Sequence, residues 1–212
     1  MAHIVLLGDS IFDNAAYVPG GPDVVLQVRD IVPQGWQASL LAVDGAVTSG
    51  VASQLKRVPA DATHLALSVG GNDALGFSYL LGESVRSVGE GVVLLEQAQR
   101  RFAGQYRDML EGVLALDLPT AVCTIYDTPP SAPNHRIIRA ALALFNDEIS
   151  RAAFSLGLTL IDLRLICNEE GDYANPIEPS VQGGAKMASA ILEFARDSAA
   201  SRSRVIAAPE PN

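Results

Sequence analysis

The sequence predicts an α/β protein, a three-layer α/β/α sandwich around a five-stranded parallel sheet. Three observations carry this. Short β-rich runs alternate with longer segments of helical spacing along the 212 residues. Each of the five runs is followed by a helix, the pattern of βαβ units whose sheet is covered on both faces. The length suits one domain with a sizeable core, and no internal repeat divides it. The expectation is a single domain over residues 1–200 and a frayed or loosely docked tail over Ser201–Asn212.

The elements follow in chain order. "HIVLLG" (His3–Gly8) is a strand that runs into a turn, with a helix expected from near Ile11. "PDVVLQVRDIV" (Pro22–Val32) has helical spacing, with Pro22 in the first turn, where its missing N–H costs nothing. "QASLLAV" (Gln37–Val43) is a strand. "TSGVASQLKRV" (Thr48–Val58) is a helix interrupted only by Gly50. "HLALSVGG" (His64–Gly71) is a strand ending in a glycine pair. Ser87–Leu116 is mostly one long helix. "TAVCTIYD" (Thr120–Asp127) is a strand, His135–Leu156 a helix capped by Asn134, and "LTLIDL" (Leu158–Leu163) a strand. Ser180–Asp197 is the last helix.

Composition excludes several function classes. The apolar fraction is 49% and the charged fraction 18%, as in a globular chain. The net charge of −9 argues against a surface that tracks phosphates, so no nucleic-acid partner is expected. No run is long and apolar enough to span a bilayer, and "MAHIVLLGDS" lacks the basic start of a signal peptide. Two cysteines, Cys123 and Cys167, are too few for a disulfide framework. A cytoplasmic protein is expected. Histidines are scarce, no Cys/His pair has ligand spacing, and no phosphate loop is present, so neither metal nor cofactor is expected.

In such sheets the site lies at the carboxyl ends of the strands. The residues just past those ends are therefore informative. After the first strand comes "GDSIFDN", with Ser10 placed as a nucleophile between strand and helix. After the second comes Gly45, in "VDGAVTSG". After the third comes "SVGGND", with Asn72. A backbone N–H from a glycine loop and an Asn amide are the donors an oxyanion hole needs. Each residue also has a plain structural reading. Ser10 could be an N-cap, Gly45 a turn residue, and Asn72–Asp73 a capping pair.

Together, "GDSI", Gly45 in "AVDGAV" and "GGND" resemble the first three blocks of the SGNH hydrolases, also called GDSL esterases and lipases. The blocks stand in the family's order, and with the βαβ alternation the resemblance covers nearly the whole chain. The resemblance implies an SGNH, flavodoxin-like sandwich. It implies Ser10 as nucleophile and the Ser10 N–H, the Gly45 N–H and the Asn72 side chain as oxyanion donors. It also implies cofactor-free hydrolysis of a small ester, thioester or acetylated substrate.

The fourth block departs from the family. Its Asp-x-x-His is replaced by "NPIEPSVQGG", with Asn175 at the Asp position and Glu178 at the His position. A serine hydroxyl is weak without a positioned base. His3 and His64 begin their strands, about five residues at ~3.3 Å each from the site edge, too far to serve. Two bases stay open: Glu178, reaching Ser10 from the histidine's direction, and His135, delivered from the loop after the fourth strand. Glu178 could instead be a helix-start carboxylate, and His135 an exposed first-turn residue. Asp13, on the same side of the expected helix as Ser10, reads as a dipole partner, and Asp9 as a brace of the turn. Asp127 sits at the same edge. Ala74–Leu95 is apolar with several glycines; it suits either a wall over an acyl pocket or ordinary helical packing, with the latter favoured. The expected activity is serine ester hydrolysis with an atypical base. The alternative is a weak or inactive relative that binds an acyl or carbohydrate ligand.

Overall fold

β1 (His3–Gly8) runs through the interior with all six residues buried. It pairs in parallel with β2 (Gln37–Leu40) on one side and β3 (His64–Ser68) on the other; β4 (Thr120–Cys123) and β5 (Thr159–Ile161) follow. The order is β2-β1-β3-β4-β5, the flavodoxin-like arrangement. The computed structural model describes residues 1–196. The expected helix end at Asp197, the domain limit at residue 200 and the tail Ser201–Asn212 lie outside the described residues.

Strand alternation builds the layers, because successive side chains face opposite sides of a sheet. Ile4 and Leu6 enter a core with Val24 and Val28 of α1 (Val24–Ile31) and Met187 and Ile191 of α7 (Val181–Ala195). Val5 and Leu7 enter a second core with Phe102 and Leu110 of α4 (Val88–Leu114) and Phe145 and Ile149 of α5 (His135–Ser155). Complete burial of each such side chain contributes about 1.5–3 kcal/mol. The three-layer α/β/α sandwich expected from the sequence is thus formed.

The boundaries differ from the expected ones for local reasons. No helix follows Ser10. Phe12 N and Asp13 N both donate to Asp9 O, one turn forms, and the chain moves on to a short 3-10 segment at Ala15–Tyr17. Ser10 therefore has no helix dipole behind it. α1 starts at Val24, because the Asp23 carboxylate caps Leu26 N; Pro22 precedes the cap. The Thr48–Val58 pattern divides into a 3-10 turn at Thr48–Gly50 and α2 (Val51–Leu55). β4 stops at Cys123 because Ile125 exchanges both backbone hydrogen bonds with the Asn146 side chain of α5. Asn134 precedes α5 with φ +63° and makes no side-chain cap. Two short helices were not anticipated, α3 (Gly71–Gly76) and α6 (Leu163–Ile166). Among the described residues no helix is long and apolar enough to cross a membrane.

This topology locates the site. From β1 the chain goes to β2 on one side and then returns to β3 on the other. The loops after β1 and β3 therefore part at a switch point and leave a crevice at the carboxyl edge. Gln54 of α2 holds the end of β1 there: its amide donates to Gly8 O at 2.7 Å and accepts from Gly8 N at 2.8 Å.

Candidate active site

The turn after β1 carries Ser10 into the crevice. Asp9 N donates to Ser68 O, so the first residue past β1 is still held against β3. The Asp9 carboxylate accepts from Ile11 N at 3.1 Å and closes the turn. Asn14, fully buried, accepts from Val24 N and donates to Pro179 O, tying this turn both to α1 and to the segment before α7.

That segment brings Glu178 to Ser10. Ala174 N donates to Glu178 O, and Tyr173 bridges Pro179, which folds residues 173–179 into a tight reversal. Asn175 braces it from inside: its Oδ1 accepts from Ile177 N at 2.8 Å and from Glu178 N at 2.9 Å. The Tyr126 hydroxyl donates to Ile177 O from the β4 side. Ser180 caps α7, and Gly183 lets that helix press on Asp172, where an added Cβ would lie 2.2 Å from the Asp172 carbonyl oxygen. Asn175 is thus occupied with backbone amides. It fills the Asp position as a loop brace.

Ser10 Oγ donates to Glu178 Oε1 at 3.0 Å, and the residues are 4% and 6% exposed. Glu178 Oε2 is buried with no hydrogen-bond partner among the described residues. Burial pushes the Glu178 carboxyl above the ordinary glutamate range; the Ser10 hydrogen bond opposes this, and the Asp44 charge adds to it. Asp9 is more strongly affected. Its carboxyl is pushed up to about 8, first by burial and then by the charges of Glu178 and Asp73, against the Ile11 hydrogen bond. Near neutrality Asp9 keeps its proton.

The Asp9 shift has a measurable consequence. The fold holds a proton that the unfolded chain releases above about pH 4. The unfolded state therefore binds fewer protons between about pH 4 and 8, and stability falls as pH rises through that window. Asn at position 9 keeps an oxygen for Ile11 N and removes the ionisation. Asp9→Asn should match the wild type near pH 4 and exceed it at pH 8, removing a slope of at most about 1.4 kcal/mol per pH unit. Urea unfolding at both pH values checks this. Equal slopes in variant and wild type would show that Asp9 is not the responsible group.

The other residues singled out in the sequence are placed as follows. Asn72 lines the crevice with Ser10, and its Nδ2 donates to Ala46 O at 2.9 Å. One of its two amide hydrogens is used there. Asp73 accepts from the amide and hydroxyl of Thr48 and binds the same loop. Gly45 sits in that loop with φ +76° and nothing within 4 Å of an added Cβ, so backbone conformation rather than space favours glycine. It is exposed and does not line the crevice. Asp13 is not on a helix with Ser10; it accepts from Asp44 N at 2.9 Å. Asp127 lines the crevice and pairs with Arg139 at 3.6 Å. His135 uses its Nδ1 on Thr128 O at 2.9 Å and lies in a separate shallow depression with Arg136 and Arg139. His3 contacts Ser39 and Asp61, and His64 contacts Thr63, at the amino edge of the sheet.

The crevice opens into a cavity of about 620 Å³ between α3, α4 and α5. Ala74, Leu75, Phe77, Leu81 and Leu95 form one wall. The Ala74–Leu95 segment, expected to pack as ordinary helices, thus encloses space beside Ser10. Sequence reasoning missed Asn14, Gln54 and Asn146, buried amides that serve backbone groups. For Gln54 and Asn146 a polar residue inside an apolar helical face was the one signal.

This geometry has counterparts among known proteins. Curated sequences gave no match. Solved structures similar in fold include an extracellular lipase from Streptomyces rimosus, 17% identical, covering 91% of this chain and 99% of that one at a TM-score of 0.66. A phospholipase A1 from Streptomyces albidoflavus is 18% identical, with 91% and 98% covered and a TM-score of 0.67. A carbohydrate acetylesterase from Sinorhizobium meliloti is 12% identical, with 92% and 99% covered and a TM-score of 0.66. The family model of GDSL-like lipases and acylhydrolases matches residues 6–185, from β1 into the first turns of α7, and the chain belongs to that hydrolase family.

Proposed function

We propose that this protein is a serine ester hydrolase whose general base is Glu178. The observation that carries the reading is the buried hydrogen bond from Ser10 Oγ to Glu178 Oε1, at the mouth of a substrate-sized cavity. Ser10 attacks the ester carbonyl carbon while Glu178 accepts the hydroxyl proton. The Ser10 amide and the second Asn72 amide hydrogen take the oxyanion, while Gly45, which does not line the crevice, shapes the loop that Asn72 holds. The proton on Glu178 then passes to the leaving alkoxide, and a water attacks the acyl-enzyme by the same route. The raised pKa of Glu178 makes it a better proton acceptor than an exposed glutamate, provided it is ionised. No metal, cofactor or nucleic acid takes part in this scheme. Two buried free thiols, Cys123 and Cys167, suit the reducing cytoplasm.

A second reading has its own support. Asn72 already donates to Ala46, and the chain has no histidine at the crevice, so a binding protein of low turnover is the alternative. The test is hydrolysis of p-nitrophenyl esters from acetate to laurate by wild type and Ser10→Ala. Turnover at least about a thousandfold lower in Ser10→Ala establishes serine catalysis. Equal rates in the two would remove the hydrolase reading.

A further inference from the structure

The shape and lining of the cavity restrict the acyl group, an inference that rests on the proposed ester chemistry at Ser10. A ligand pocket of about 620 Å³ far exceeds what an acetyl group fills. The cavity leads away from Ser10 between α4 and α5, reaching Ala98 and Phe145, both buried. Among the described residues no Lys, Arg or His lines it; the acidic residues on its wall are Asp9 and Asp127. Asp127 is already paired with Arg139, so an anionic tail would find no lining cation to pair with. The mouth is apolar on its outer side as well. Leu75, Leu81, Ile137 and Ile177 line the cavity, yet are 43–53% exposed. Exposed apolar residues at a pocket rim suit an amphiphile and give nothing to a sugar ring.

We propose that the space enclosed by Ala74–Leu95 and α5 is an acyl subsite for a neutral, medium-to-long unbranched chain. Acetylated carbohydrates and anionic acyl groups are excluded as preferred substrates. Each methylene drawn from water into the cavity strengthens binding by up to about fourfold. The gain continues until the chain reaches the far wall.

The test separates binding from turnover. Methyl esters from butanoate to dodecanoate are titrated calorimetrically into the Ser10→Ala protein, which cannot consume them. p-Nitrophenyl esters of the same acyl chains are turned over by the wild type. Affinity is expected to rise about two- to fourfold per methylene and then level off. Filling the cavity with Ala141→Phe should move the plateau to shorter chains and cut the dodecanoate-to-butanoate affinity ratio at least tenfold. Ala98→Leu serves the same purpose if that variant does not fold. Length-independent affinity, or a plateau that neither variant moves, overturns the acyl subsite even where the wild type hydrolyses acetate. Rising affinity without turnover supports the subsite and counts against the hydrolase reading instead.

Discussion

Glu178→Gln should lower kcat/KM by about 10²–10⁴-fold while leaving the fold intact. That range is what a positioned general base contributes to proton transfer. The substitution keeps the shape of the side chain and an oxygen within reach of Ser10 Oγ, 3.0 Å away. It also removes a buried ionisable carboxyl whose second oxygen has no hydrogen-bond partner among the described residues. Burying a charge costs more than burying a neutral amide, so the glutamine should be neutral or slightly stabilising. Loss of activity with an unchanged or raised Tm therefore reports chemistry rather than unfolding. The pH profile provides a separate readout. As the base, Glu178 must be ionised, so kcat/KM rises as pH increases through its pKa, which burial holds above the ordinary glutamate range. The acid limb should disappear in Glu178→Gln. His135→Ala should stay within about threefold of wild type, since its ring nitrogen is engaged by Thr128 and the ring itself does not line the crevice. A full rate with the same acid limb in Glu178→Gln, or a collapse in His135→Ala, would remove Glu178 as the base.

The second large effect lies under the nucleophile. Gly8→Ala should destabilise the protein by more than about 4 kcal/mol, the exceptional end of single substitutions. Gly8 has φ +121°, where a side chain is strained, and an added Cβ would lie 1.7 Å from the Ser68 carbonyl oxygen. That oxygen is backbone of the neighbouring strand and accepts from Asp9 N. It cannot move without parting β1 from β3. Two further hydrogen bonds converge on the same residue, from Gln54 and Val43 to Gly8 O. Urea unfolding or soluble yield at 37 °C checks this. By contrast Gly45→Ala meets no atom within 4 Å and carries only the strain of its positive φ. A Gly8→Ala variant as stable as wild type would mean that the strands tolerate a separation this packing forbids.

Much of this protein was legible in its residues. Alternation in "HIVLLG" and its parallel partners fixes a sheet covered on both faces, because strand side chains at i and i+2 share a face and both faces are apolar. Ser10 and Asn72 fall on one edge because each follows a strand of the same direction. The sequence also shows that Glu178 stands where a histidine would be expected. Contacts made far along the chain were not legible. The turn after Ser10 is not a helix, since Asp9 and Asn14 engage its amides and neighbours locally and across to Pro179. β4 ends where a side chain of α5 takes over its backbone partners. The Asn175 side chain folds back on its own loop rather than toward Ser10. Above all, a separation of 168 positions along the chain hides the 3.0 Å hydrogen bond between Ser10 and Glu178. Pattern and propensity act over a few residues and decide which elements form. Only the packing of those elements decides which carboxylate meets the serine, how far burial raises its pKa, and whether an apolar segment fills space or encloses it.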